Sequence, residues 1–226
     1  MNKVRGLKEA VHHVETGATV MVGGFGLVGA PLSLIETLTD HDATNLTIIS
    51  NNLGEAGKGL GMLLRQGKIK KAIGSYFTSN REVGEKYHAG DIEIQLLPQG
   101  TFSESIRAGG AGIGGFYTKT GVNTEIAKGK ETREINGELY SFEEALTADV
   151  ALIRAHKADK LGNLTYYKTA RNFNPMMATA ARFVIAEVDE IVENGSLNPE
   201  EIVTPHLYVD ALVISNKILS KEGVVS

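Results

Sequence analysis

Residues 20–38, "VMVGGFGLVGAPLSLIETL", pass from a short apolar run through four glycines into a helical pattern. Gly24, Gly26 and Gly29 satisfy G-x-G-x-x-G directly after an expected strand, the spacing by which bare backbone approaches a pyrophosphate. Dinucleotide chemistry needs a second feature, an Asp or Glu ending the next strand about 20 residues on, where it holds the ribose hydroxyls. Here that strand is "NLTIIS" and it ends in Asn51-Asn52, so the acid is missing. Pro31 places the helix start later and leaves the loop longer than a pyrophosphate turn requires. An NAD(P)-binding oxidoreductase domain therefore stands only as an alternative, and the bland reading is a tight strand-to-helix turn.

Other reactive constellations are sparse. There is no cysteine, which excludes disulfides, thiolate metal sites and cysteine nucleophiles. The six histidines show no metal-ligand spacing and His12 and His13 are adjacent, so no metal is assigned. No G-x-S-x-G elbow supports serine hydrolysis. The formal net charge of −4 argues against nucleic acid or an anionic membrane as partner, so an anionic ligand must be held locally. No apolar run is long enough to span a bilayer. The N-terminus "MNKVRGLKEAVHHV" lacks a secretory pattern, so a cytoplasmic location is expected.

The elements that must position these residues alternate. Helices are expected near 7–16, 31–38, 59–66 and 80–88, and strands at 18–23, 46–50, 69–74 and 92–97. This order implies an α/β fold, a mostly parallel sheet covered by helices on both faces. After residue 100, "GTFSESIRAGGAGIGGFYTKTG" reads as a short helix and a long glycine-rich loop. Asn136-Gly137 signals a tight type I′ hairpin, a small antiparallel decoration. Further strands are expected at 149–154, 182–187 and 208–214, with a helix in the second part of "ARNFNPMMATAA". At 226 residues, with no linker and no internal repeat, the chain is read as one domain over 1–226.

The wider stretch "VGGFGLVGAP" resembles the first-subunit signature of the family I coenzyme A transferases, G-G-F-x-x-x-G-x-P, through Gly23, Gly24, Phe25, Gly29 and Pro31. Upstream, Thr16 stands where that family usually has Asp or Asn. "TIISNN", "LPQGTFSESIRAGGAGIGGFYTKTGV", "ADVALIRAHKADKLGNLTY", "ARNFNP" and "VTPHLYVD" are similar, in order, to blocks of the acetate/acetoacetate and succinyl/3-oxoacid members. The resemblance implies a seven-stranded sheet and an A (alpha) subunit that moves coenzyme A, as substrate rather than bound cofactor, between an acyl thioester and a small carboxylic acid. It implies covalent catalysis by a Glu in a Ser-Glu-Asn-Gly motif of a B subunit, in an A2B2 heterotetramer; this chain has no such motif. Glu104 in "SES" falls in a different block and is expected to be structural.

On that footing, Gln99, just past a strand end, is the expected catalytic contribution: its amide donates to an oxyanion or to the substrate carboxylate, or else merely caps the helix. Gly24, Phe25, Gly26, Leu27, Val28, Gly29 and Ala30 are expected to present backbone N–H groups to coenzyme A, with a helix behind them that favours negative charge. Asn51 is expected either to bond substrate or to fix the neighbouring loop. Gly109 and Gly110 belong to the block that lines the substrate side of the cleft, where they exclude water or pack an interface. Arg107 and His156 are more readily explained as surface or supporting groups. A sugar-phosphate-sensing domain is the non-enzymatic alternative, but the DNA-reading helix-turn-helix such a regulator carries is not found.

Overall fold

The computed structural model describes residues 2–216, 219–220 and 223–224. The main sheet contains β1 (Thr19–Val22), β2 (Leu46–Ile49), β3 (Ile69–Gly74), β4 (Glu93–Leu96), β8 (Ala148–Arg154), β11 (Ala181–Val188) and β13 (Ala211–Ile214). These seven strands are parallel and lie in the order β13-β11-β8-β1-β2-β3-β4. The chain winds outward from β1 to β4, then returns to the other side of β1 and continues outward through β8. The order therefore reverses between β1 and β8, which makes the carboxyl ends of these two strands the place where such sheets bind ligands.

Strand periodicity builds the two layers. Val20, Val22, Ile48, Ala72, Val150 and Leu152 face one way, onto a core shared with α1 (Leu7–Val11), α2 (Leu32–Thr39), α3 (Leu60–Arg65) and Val83 of α4 (Arg81–His88). Met21, Ile49, Ile73, Ala151 and Ile153 face the other way, onto α5 (Gln99–Gly110) and α6 (Asn174–Thr179). Every central strand is thus apolar on both faces, as a parallel sheet covered on both sides requires. The expected hairpin is present: β6 (Thr132–Ile135) and β7 (Glu138–Glu144) flank Asn136 and Gly137, both at positive φ, and β5 (Gly115–Thr118) pairs antiparallel with β7.

Several boundaries differ from expectation. The first helix stops at Val11 rather than 16, because the next turns tighten to i→i−3 bonds, such as Val14 N–H to Val11 O, and bury Val14. The strand expected from 208 starts at Ala211. α5 is a full twelve residues, so Gly109 and Gly110 lie in its last turn and not in a loop. Glycine is needed there because a Cβ at Gly109 would run into the Leu146 carbonyl and one at Gly110 into the Thr179 side chain. A small sheet not expected from the sequence, β10 (Leu164–Thr165), β9 (Lys157–Asp159) and β12 (Glu190–Val192), carries the chain after β8.

Candidate functional site

The glycine loop lies at the carboxyl end of β1, beside the β1/β8 reversal. Its tip is a tight turn in which Phe25 N–H donates to Val28 O at 2.9 Å and Val28 N–H to Phe25 O at 3.2 Å. Phe25 and Val28 are about half exposed, whereas Gly24, Gly29 and Ala30 are buried. The N–H groups of Gly26, Leu27 and Gly29 have no acceptor among the described residues.

The bareness of this backbone has an internal cause at two positions. The segment 170–174, nearly 150 residues on, packs against the loop: Gly24 N–H donates to Asn172 Oδ1 (3.1 Å), Asn172 Nδ2 to Val28 O (3.0 Å) and Asn174 Nδ2 to Gly29 O (3.0 Å). Asn174 Oδ1 in turn accepts from Arg154 N–H at 2.8 Å, tying the loop to the end of β8. A Cβ on Gly23 would collide with Asn174, and one on Gly29 with the Ala170 carbonyl. Gly26 is different: it sits at φ +63° and a Cβ there would meet nothing within 4 Å, so only its left-handed backbone demands glycine from within the chain.

The helix behind the loop does not offer its positive end to a ligand, contrary to the sequence expectation. Pro31 at its start supplies no side-chain cap, and the fully buried Glu187 of β11 fills that role, accepting from Leu34 N–H at 3.0 Å. Glu187 is held by Arg154, which also pairs with Asp189, and by Ser215 Oγ at 2.6 Å. His156 Nδ1 lies 3.0 Å from Asp189 Oδ2, so it belongs to this supporting network.

At the ends of β2, β3 and β4 the sheet brings together Asn51, Ser75 and Gln99. Gln99 opens α5 immediately after Pro98 and is exposed. Its Oε1 accepts from Asn51 Nδ2 at 2.8 Å and from the Ser75 hydroxyl. Its Nε2 has no partner among the described residues, so two N–H bonds remain to be offered outward. Asn51 is buried and its second amide hydrogen goes to Ser75 Oγ at 2.9 Å, so in this arrangement Asn51 fixes its neighbours. Ser75, Asn172 and Asn174, which sequence reasoning missed, bond directly to the candidate residues; their signal was a position just beyond strands or within a polar interruption of apolar sequence.

A second loop repeats the first at the end of β2. Glu55 and Lys58 exchange backbone bonds across a two-residue turn as Phe25 and Val28 do, and Gly54 and Gly59 repeat the positive φ of Gly24 and Gly29 thirty residues later. The sequence shows no repeat because the tips share no side chain, Phe-Gly-Leu-Val against Glu-Ala-Gly-Lys. Leu27 packs on Gly59, so the two loops stand side by side.

Gly109 and Gly110 make their close contacts inside the chain, away from Gln99's partners. Glu104 pairs with Arg107 on the exposed side of α5 at 2.7 Å, and those hydrogen bonds hold its carboxyl below the ordinary range. Neither is engaged with the Gln99 cluster. No helix among the described residues is long and apolar enough to cross a membrane.

Known proteins resemble this chain over most of its length. The A subunit of a succinyl-CoA:3-ketoacid coenzyme A transferase of Xanthomonas campestris is 54% identical over 202 residues, covering 89% of this chain and 84% of that one. The alpha subunit of an acetate CoA-transferase of Escherichia coli is 44% identical, covering 95% of this chain and 98% of that one. Among solved structures, an acyl-CoA transferase of E. coli O157:H7, in a thioester complex with CoA, superposes with a TM-score of 0.84 at 23% identity. It covers 95% of this chain, which spans only 47% of that longer chain, and the likeness is one of fold. Residues 4–215 match the family described as Coenzyme A transferase, and the chain belongs to that family.

Proposed function

We propose that this chain is the A subunit of a two-subunit transferase that moves coenzyme A between an acyl-CoA and a short carboxylic or 3-oxo acid of the acetate, acetoacetate and succinate class. The naming of its relatives as A or alpha subunits supports a separate partner, the B subunit, and the absence of a Ser-Glu-Asn-Gly motif supports a nucleophile supplied by it. The expected assembly is two copies of each chain, in the cytoplasm.

In this reading the first step is attack on the thioester carbonyl by the partner's carboxylate, giving a tetrahedral oxyanion that collapses to an anhydride and a thiolate. The thiolate then attacks the enzyme's own acyl carbon, releasing the first acid and leaving a glutamyl thioester; the second acid reverses these steps. Each attack places negative charge on an oxygen, and a positioned N–H donor stabilises that charge more than the ground state. Gln99 is that donor on this chain. The observation that carries the assignment is its outward Nε2, with Oε1 tied down by two donors.

The loop 24–30 borders the acyl-CoA, and its free N–H groups at Gly26 and Leu27 supply further donors. Gly109 and Gly110 contribute by letting α5 seat closely against Leu146 and Thr179, which holds the other end of the helix that carries Gln99.

The test is thioester exchange with the purified chain alone, the partner alone and the two mixed. Turnover requires both, and the coenzyme A adduct forms on the partner. Exchange by the lone, uncontaminated chain refutes the assignment.

A further inference from the structure

A primary amide is a donor on one side and an acceptor on the other, so Gln99 helps an oxyanion in one orientation and opposes it in the other. Three amides and a hydroxyl decide which, and their polarity traces to one backbone group. Gly54 N–H can only donate, and it donates to Asn52 Oδ1 at 2.7 Å. That turns Asn52 Nδ2 toward Asn51, donating to its Oδ1 at 3.0 Å. Asn51 Nδ2 is thereby turned toward Gln99 Oε1 and Ser75 Oγ, at 2.8 and 2.9 Å. Ser75, having accepted from Asn51, directs its own proton to the same Oε1.

Every link runs donor to acceptor in one direction. Reversing one amide sets two N–H groups or two carbonyls face to face. Asn51 is 1% and Asn52 4% exposed, so bulk water is not at hand to repair a reversed link. The origin is itself held: Gly54 is at φ +62° in the second glycine loop, a Cβ there would strike the Lys58 carbonyl, and Asn80 Nδ2 donates to Leu53 O at 3.1 Å.

We propose that Asn52 and Ser75 are positioning residues of the transfer reaction, and that the second glycine loop serves to originate the relay Gly54–Asn52–Asn51 that turns the Nε2 of Gln99 outward. The proposal rests on the role given to Gln99 above. It assigns work to a loop whose tip, Glu55 to Lys58, need not touch substrate.

Asn52→Asp tests it with almost no change of shape. The carboxylate still accepts from Gly54 N–H but cannot donate onward. Asn51 then donates to it, shows its oxygen to Gln99, and Gln99 turns Nε2 inward. In the assembled two-subunit enzyme kcat falls about 10²- to 10³-fold, the loss of one oxyanion donor, with KM changed far less. The chain has only Gln66, Gln95 and Gln99, so [15N]glutamine labelling of the complex reads the amide directly, with Gln99→Ala giving the assignment. In Asn52→Asp the Gln99 amide protons shift and exchange more slowly with solvent. Ser75→Ala lowers kcat and Ser75→Thr, which keeps the hydroxyl, restores it; this pair carries the test if Asn52→Asp does not assemble. An unmoved Gln99 amide signal, or kcat retained in Asn52→Asp while Gln99→Ala is impaired, overturns the relay. Full turnover by Gln99→Ala instead overturns the role of Gln99, and the proposal with it.

Discussion

Replacing Gln99 by glutamate separates a donor from a mere spacer. The substitution conserves length and leaves one oxygen where Asn51 Nδ2 and the Ser75 hydroxyl already donate. Those two bonds favour the ionised form, so the new carboxyl is held below the ordinary carboxylate range and is charged at neutral pH. Loss of the Nε2 donor alone removes about 2.7–4 kcal/mol of transition-state stabilisation, a factor of about 10²–10³. A carboxylate about 4 Å from the developing oxyanion adds about 4 kcal/mol of repulsion at an effective dielectric near 20. That is roughly another 10³ in rate. Gln99→Ala is therefore expected to lose about 10²- to 10³-fold in kcat and Gln99→Glu about 10⁵- to 10⁶-fold. The assay is acyl-CoA exchange by the assembled two-chain enzyme, with melting temperature and assembly matched to the parent. Gln99→Glu at least as active as Gln99→Ala would rule out a donor at this position, since the donor and its charge are what separate the two variants in this order.

Two predictions concern the frame. Asn174→Ala strips the buried Arg154 N–H of its acceptor and Gly29 O of its donor. At about 1–3 kcal/mol for each orphaned buried group, unfolding free energy falls by about 2–6 kcal/mol. A urea titration should show the midpoint lowered at constant slope, and a loss below about 1 kcal/mol would contradict the bonding described. Tyr166 is partly buried with its hydroxyl 2.7 Å from Thr204 Oγ1, and desolvation, only partly offset by that bond, pushes its phenol well above the ordinary range. Its contribution to stability is complete below the unfolded-state phenol pKa near 10 and is lost as pH rises beyond it. Tyr166→Phe should be less sensitive to alkaline unfolding, and identical alkaline midpoints for the two proteins would remove Tyr166 as a cause.

Features under the control of short windows were legible in the residues alone. Alternation of apolar strands with helical stretches gave the βα order from β1 to β4, Asn136-Gly137 gave the hairpin, and the glycine signature with its following blocks pointed to the family. Polar residues directly after strands marked Asn51 and Gln99 as candidates. Strand order was beyond such windows, and with it everything that meets across the sheet. Only the folded chain brings Asn172 and Asn174 against Gly24 and Gly29, sets Glu187 on the first turn of α2, and carries Ser75 between Asn51 and Gln99. The same holds for α5, where Gly109 and Gly110 read locally as loop yet form a helical turn packed on residues 146 and 179. One cause is common to all of these. Propensity and periodicity act over a few residues, whereas a hydrogen bond between residues as distant in the chain as Leu34 and Glu187 depends on which strands become neighbours.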